Sequence, residues 1–245
     1  MYPVLFKIGS LSIYTHGVLA VIGIIGGVFL LDRLAKRNAL KFDFLIDSIV
    51  YSVLAGIIFA RLTYYILYFD QFTSFREIFY LWQGGMVSYG GFIAGALVFA
   101  LLMRINHQPV SRWLDVGSIA FLPGLIFGRL GNVFAGEYSG VLTSSKIAID
   151  GVIPVTLLEA VFLVIISTLL LILFFKTKLK QIPGMLFAGS LFLYGGGRFI
   201  IDFWRDEKSL AFGIALGQYV SLALCFLAVL WFIFILRKEH NEIIQ

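Results

Sequence analysis

Seven times along the chain an apolar run returns that is long enough to cross a lipid bilayer, approximately over residues 15–35, 45–69, 86–103, 115–134, 154–175, 184–204 and 213–236. A helix needs ~20 residues to span the hydrocarbon core, and inside it the backbone has no water to bond, so each run must satisfy its own N–H and C=O groups as a helix. The expected fold is therefore an all-α integral membrane protein, a single polytopic domain over residues 1–245 with only small elements outside the bilayer. Composition agrees, because a chain that is 60% hydrophobic and 13% charged carries more apolar surface than a soluble core could enclose. No linker rich in Pro or Ser, no repeat and no low-complexity tract divides it. The two longest stretches between spans, 70–85 and 135–153, each have room for a short interfacial helix or hairpin.

The charges set orientation. Of the 19 lysines and arginines, eleven fall in one set of alternate loops and five in the other. The positive-inside rule then places the amino terminus outside and the carboxyl terminus in the cytoplasm. The net charge of +5 thus concerns topology and anionic lipid, and no nucleic-acid partner is expected. Cys225 is the only cysteine and lies in an apolar run, which excludes an intramolecular disulfide and disfavours a thiol nucleophile. With His16, His107 and His240 scattered, neither a metal nor a cofactor is expected. Pro3 and Lys7 precede the first long apolar run, so no cleavable signal peptide is expected.

The three remaining cations, Arg61, Arg129 and Arg198, sit inside spans, where a guanidinium is costly without a partner or an anionic ligand. By the same orientation all three belong to the outer half of the membrane, as do His16, Tyr89 and Glu159 in the first turns of the inward-running spans. Arg198, Asp202 and Arg205 follow at i, i+4 and i+7, on one helix face. Arg129 lies within Gly128–Gly140, a stretch whose three further glycines and Asn132 let the backbone bend beside a ligand. Gly26-Gly27 and Gly95 read as packing devices. At Gly90-Gly91 and Gly195–Gly197, next to Tyr89 and Arg198, a ligand cavity is at least as good a reading. Trp82, Trp113, Trp204 and Trp231 fall near span ends as an aromatic belt. The residues thus describe an outward-facing polar cavity for an anion attached to something apolar, and phospholipid is the abundant candidate. They leave open whether the lipid is transported, merely bound, or chemically cut.

Several stretches together resemble the prolipoprotein diacylglyceryl transferase family, from about Phe6 to Ser221. Phe6-Lys-Ile-Gly9 with Ile13-Tyr-Thr-His-Gly17 is similar to the start of its first span. Ala60-Arg-Leu-Thr-Tyr64 resembles its second-span arginine motif, and Trp82-Gln-Gly-Gly-Met86 through Tyr89-Gly-Gly91 its third-span glycine motif. Its signature Gly-Arg-x-Gly-Asn-Phe-x-Asn-x-Glu-x-x-Gly is matched at Gly128, Arg129, Gly131, Asn132, Glu137 and Gly140. Pro154, Leu157 and Glu159 resemble the start of its fifth span, Arg198 to Arg205 its late arginine motif, and Gly217-Gln218 the opening of its last span. The chain departs from the pattern at Val133 and Ala135 in the signature, at Ile153 and Thr156 before Glu159, and at Asp202, usually Glu. Tyr89 stands where many members have His, and His16 where they have Tyr. The region after the signature is short, so the periplasmic head should be reduced.

The resemblance implies a bacterial inner-membrane enzyme whose site faces the outer leaflet. Its partners would be phosphatidylglycerol, the lipobox cysteine of a prolipoprotein signal peptide, and surrounding membrane lipids. It further implies that Arg129 and Arg198 bind the phosphate and that Asn132, Glu137 and Gly140 shape the signature loop. Glu159 and Asp202 would orient the arginines or the headgroup, with Arg205 and Arg61 as further substrate-binding residues. His16 and Tyr89 are expected to handle the thiol proton, exchanging the roles that a Tyr and a His hold elsewhere in the family.

Overall fold

The protein is an all-α integral membrane protein. In the computed structural model, residues 4–8, 11–40, 43–72, 74–80, 84–207 and 212–244 are described. Pro3, Gly9, Trp82 and Gln83, named above, lie outside them, as do Lys41 and Lys208, two of the loop cations counted for orientation. Among the described residues seven helices are long and apolar enough to cross a membrane. They are α1 (Thr15–Arg37), α2 (Leu45–Leu67), α3 (Ser88–Ile105), α4 (Val110–Ala135), α5 (Val155–Lys176), α6 (Met185–Ile201) and α7 (Leu216–Ile244). The expected spans coincide with these within a few residues except at two ends. α4 starts earlier because Pro109 offers its carbonyl to the Trp113 N–H and opens the helix, as proline does at a first turn. α7 runs on beyond the apolar stretch into the polar residues that follow Arg237.

The chain forms two compact units, Met1–Ala39 with Leu114–Gln245, and Leu40–Trp113. In the first, strands β1 (Val4–Ile8) and β2 (Leu11–Tyr14) pair antiparallel, Phe6 opposite Ile13 and Lys7 opposite Ser12, and β2 leads directly into α1. Alpha-helix contacts here are made through small residues. A Cβ on Gly27 would come within 2.6 Å of the Ala120 carbonyl oxygen, and one on Gly23 within 2.9 Å of the Phe127 Cβ, so α1 and α4 touch backbone to backbone. The Gly26-Gly27 reading as a packing device therefore describes the contact. α6 packs mainly against α7 and α5. Gly195, read above as a possible cavity residue, instead brings α6 against the Ser221 carbonyl of α7, where a Cβ would stand 2.8 Å away. Gly197 faces the Phe162 ring of α5 so closely that it has no room for a side chain.

One buried acid fastens this unit. Asp115 on α4 is fully buried and accepts hydrogen bonds from the Gly184 N–H at 2.7 Å and the Phe187 N–H at 2.8 Å. A helix N-terminus presents unpaired N–H groups and the positive end of its dipole, so the carboxylate caps α6 from across the bundle and ties together the helices carrying Arg129 and Arg198. Asp115→Ala should lower the unfolding free energy by at least about 2 kcal/mol, because two charge-assisted bonds are lost. Asp115→Asn, which keeps an acceptor, should lose about half as much; thermal or denaturant unfolding in detergent measures both.

In the second unit α2 and α3 pack closely, Gly91 lying against the Gly56 carbonyl and Gly95 against that of Ser52. Gly90, with Thr63 beside it, is likewise a packing position. Between the helices, two short 3-10 turns, Phe69–Gln71 and Phe75–Phe79, fill the interfacial place expected of residues 70–85. They are covered by edge-to-face contacts of Tyr65 with Phe69, Phe72 and Phe75, a geometry aromatic quadrupoles favour.

Candidate active site

Glu159 occupies the first turns of α5 with only 2% of its surface exposed, and a carboxylate that deep requires cationic partners. Three arginines supply them. Arg129 from α4 places Nε 2.9 Å from Glu159 Oε2. Arg198 from α6 and Arg205 from the segment after it both pair with Oε1. Asp202, equally buried, lies 3.2 Å from Arg198 Nε and 3.0 Å from Arg205 Nε. Both arginines thus bridge the two acids. The i, i+4 relation of Arg198 and Asp202 is an ion pair, and it is one side of a larger network that joins three parts of the chain.

The network forms the polar floor of a small cleft. Arg129, Glu159 and Arg198 line it together with Leu125, Phe162, Leu163, Tyr194 and Ile201. Of the three arginines Arg129 is the most accessible, with 28% of its side chain exposed against 10% and 9% for Arg198 and Arg205. Three guanidiniums surround two buried carboxylates, with Glu207 3.6 Å from Arg205 at a more exposed position. A cationic floor between apolar walls suits an amphiphile with an anionic head. The wall residues escaped the reading of the sequence, yet spacing could have found them. Leu125, Phe162, Leu163, Tyr194 and Ile201 each stand three or four residues from a charged member, the separation that shares a helix face.

The signature stretch ends α4 and turns back beside this network. Glu137 N–H bonds to the Asn132 carbonyl at 2.9 Å, and Gly136 adopts a positive φ of 84°, a left-handed C-terminal turn that favours glycine. The loop is then held from two sides. Thr156, 1% exposed, donates its hydroxyl to the Glu137 carbonyl at 2.6 Å while its N–H bonds to the Tyr138 carbonyl at 3.2 Å. Val141 N–H bonds to the Trp204 carbonyl, and Gly140 pairs with Arg205 as an isolated bridge. Gly140 is buried where a Cβ would collide with the Ile153 carbonyl, so only glycine lets the loop pass. Glu137 itself is exposed and contributes its backbone to these contacts. Residues 141–153 carry two further isolated bridges, Leu142 with Val152 and Ile149 with Val152, so of the two forms this stretch had room for, helix or hairpin, it takes the extended one.

His16, in the first turn of α1 and exposed, lies against this end of α4. A Cβ on Gly131 would be 2.8 Å from the His16 Nδ1 and 2.9 Å from its Cα. The histidine backbone therefore approaches the signature helix two residues from Arg129. Tyr89 and Arg61 belong to the second unit. Tyr89 is half-buried in the first turn of α3. Arg61 is 3% exposed, and its guanidinium donates to backbone carbonyls, from Nε to Ile78 at 3.1 Å, from Nη1 to Gly84 and to Gly85 at 2.9 Å, and from Nη2 to Glu77 at 2.6 Å and Tyr80 at 3.3 Å.

Comparison with known proteins identifies the family. The family model for prolipoprotein diacylglyceryl transferase matches residues 3–234. The phosphatidylglycerol–prolipoprotein diacylglyceryl transferase of Streptococcus pneumoniae (strain Hungary19A-6) is 30% identical over 253 residues, covering 97% of this chain and 95% of the relative. The enzyme of the same description from Streptococcus equi subsp. zooepidemicus (strain MGCS10565) is 29% identical over 255 residues, covering 98% of this chain and 96% of the relative.

Proposed function

The chain belongs to the prolipoprotein diacylglyceryl transferase family, and we propose that the cleft floored by Arg129, Glu159 and Arg198 is where its transfer reaction takes place. The protein is a multi-pass membrane enzyme that moves the diacylglyceryl group of phosphatidylglycerol to a prolipoprotein. The observation that carries the assignment of the cleft is that Arg129 and Arg198, from different helices, converge on one carboxylate.

The acceptor is the thiol of the lipobox cysteine in the prolipoprotein's signal peptide. Its sulfur attacks the phosphate-bearing carbon of the diacylated glycerol, a C–S bond forms, the C–O bond to the phosphate breaks, and glycerol phosphate departs with the electron pair. Charge therefore grows on a phosphate oxygen in the transition state. Guanidiniums already fixed by Glu159 and Asp202 need no reorganisation to receive it, which is how preorganised donors lower a barrier. The apolar walls hold the acyl chains and keep water from the departing group.

A free cysteine thiol ionises near pH ~8.5, so only modest help is needed to form the nucleophile. His16, exposed and against Gly131, accepts the proton, and Tyr89 is the other residue assigned to the transfer. The site opens to the outer leaflet of the bacterial cytoplasmic membrane, in keeping with the excess of positive residues in the opposite loops. Mass measurement on a lipobox peptide incubated with phosphatidylglycerol and purified protein tests the reading. Wild type should add one diacylglyceryl mass and Arg129→Ala should not; equal modification by both would sink the assignment. In a strain depleted of its own transferase, His16→Ala should fail to restore growth, and restoration would remove His16 as the base.

A further inference from the structure

An arginine buried in a membrane span invites the reading that it meets the lipid's phosphate, and Arg61 carries the opposite signature. Its five hydrogen bonds, to the carbonyls of Glu77, Ile78, Tyr80, Gly84 and Gly85, equal the number of N–H groups a guanidinium owns. No carboxylate among the described residues pairs with it; the charge is met by carbonyl dipoles and by the rings of Tyr64 and Phe72, 5.8 and 5.3 Å away. With every donor engaged, the side chain has nothing left to offer a phosphate.

We infer that Arg61 is a positioning residue for Tyr89 and not a ligand of the lipid, an inference that rests on the reading that Tyr89 takes part in the proton transfer. The bonded carbonyls all belong to the segment that leads into α3. Gly84 and Gly85 both adopt positive φ, 77° and 76°, which turns successive carbonyls toward Nη1 and which other residues adopt only with strain. The ring of Tyr64 packs directly on Gly85, and the Tyr64 hydroxyl is itself held by Gln71 Oε1 at 2.9 Å. One residue before Arg61, the Ala60 carbonyl accepts the Val87 N–H at 3.0 Å. The end of α2 thus grips the chain at Gly84, Gly85 and Val87, and Tyr89 follows two residues later. A planar fork with five donors can do this; the single ammonium of a lysine cannot.

The test uses full-length Arg61→Lys in vesicles, with phosphatidylglycerol varied as a fraction of the lipid and a lipobox peptide as acceptor. Displacing a reacting group costs rate more than binding, so kcat should fall at least about tenfold. The apparent KM for phosphatidylglycerol should stay within about twofold of wild type. Trypsin should cut after Arg76, exposed within the gripped region, measurably faster than in wild type. A raised KM with unchanged kcat and unchanged cleavage overturns the inference and returns Arg61 to the lipid site. Should Arg61→Lys not accumulate, Gly85→Ala leaves the arginine intact and should show the same loss confined to kcat; a wild-type kcat there also overturns it. Full activity in Tyr89→Phe overturns it too, by removing what Arg61 positions, and leaves the arginine cluster untouched. Full activity in Arg129→Ala strikes the cluster as the site of transfer, and the cleavage and Tyr89→Phe arms still decide the role of Arg61.

Discussion

Arg198→Ala should lower kcat/KM for diacylglyceryl transfer by at least about a hundredfold, the loss typical of deleting one preorganised donor from a site that stabilises developing negative charge. The expectation depends on where Arg198 stands. It lines the cleft opposite Arg129 and is held from two directions, by Glu159 and by Asp202. Its planar fork can keep those contacts and still face a phosphate; Arg198→Lys retains the charge but has no fork, so it should recover only a small part of the lost rate. Folding can be separated from chemistry because neither acid is stranded by the change. Glu159 keeps Arg129 and Arg205, and Asp202 keeps Arg205. A variant that melts near wild type yet transfers at wild-type rate would remove Arg198 from the chemistry.

The helices were plain in the sequence because each is a long run of one character, and the lipid-like environment imposes a single local answer on such a run. The intramembrane arginines were plain for the complementary reason, since a charge in an apolar run is conspicuous. What the linear order conceals is partnership. Spacing alone puts Arg198, Asp202 and Arg205 on one helix face, whereas α6 ends at Ile201 and a 3-10 turn, Asp202–Trp204, carries the chain to an extended Arg205; that both arginines share an acid from α5 with an arginine from α4 depends on how three helices come together. Asp115 is similar. Nothing near it indicates that its acceptors meet N–H groups about seventy residues away at the start of α6. Thr156 was visible only as a departure from the family pattern; its use, holding two carbonyls of the signature loop, needs the loop's path. The β1–β2 hairpin went unforeseen because strands of five and four residues are too short for alternation to stand out beside the apolar run of α1. Glycines divide the same way. Gly27 and Gly95 pack as expected, while Gly90, Gly91 and Gly195 turned out to serve close helix approach, a distinction that composition cannot draw.

The largest loss of stability should come from Glu159. Glu159→Leu removes the buried carboxylate that three guanidiniums share and leaves Asp202, among the described residues, as the buried acid beside Arg198 and Arg205. Breaking a buried ion pair by deleting one partner costs about 3–5 kcal/mol, mostly the penalty of the uncompensated charge. The unfolding free energy in detergent should fall by about that amount. Glu159→Gln keeps a carbonyl acceptor at similar volume but not the charge, so its loss should be smaller and still exceed that of Asp115→Asn. A compensating change separates charge balance from packing. Arg205→Met removes one of the surplus cations, and since a buried pair can often be replaced by apolar side chains of similar size, Glu159→Leu with Arg205→Met should be more stable than Glu159→Leu alone. If the double variant is no more stable than the single one, the acid matters for its shape and not its charge. If Glu159→Leu melts with wild type, the three arginines do not depend on it, and the picture of guanidiniums held in readiness by a common carboxylate fails with it.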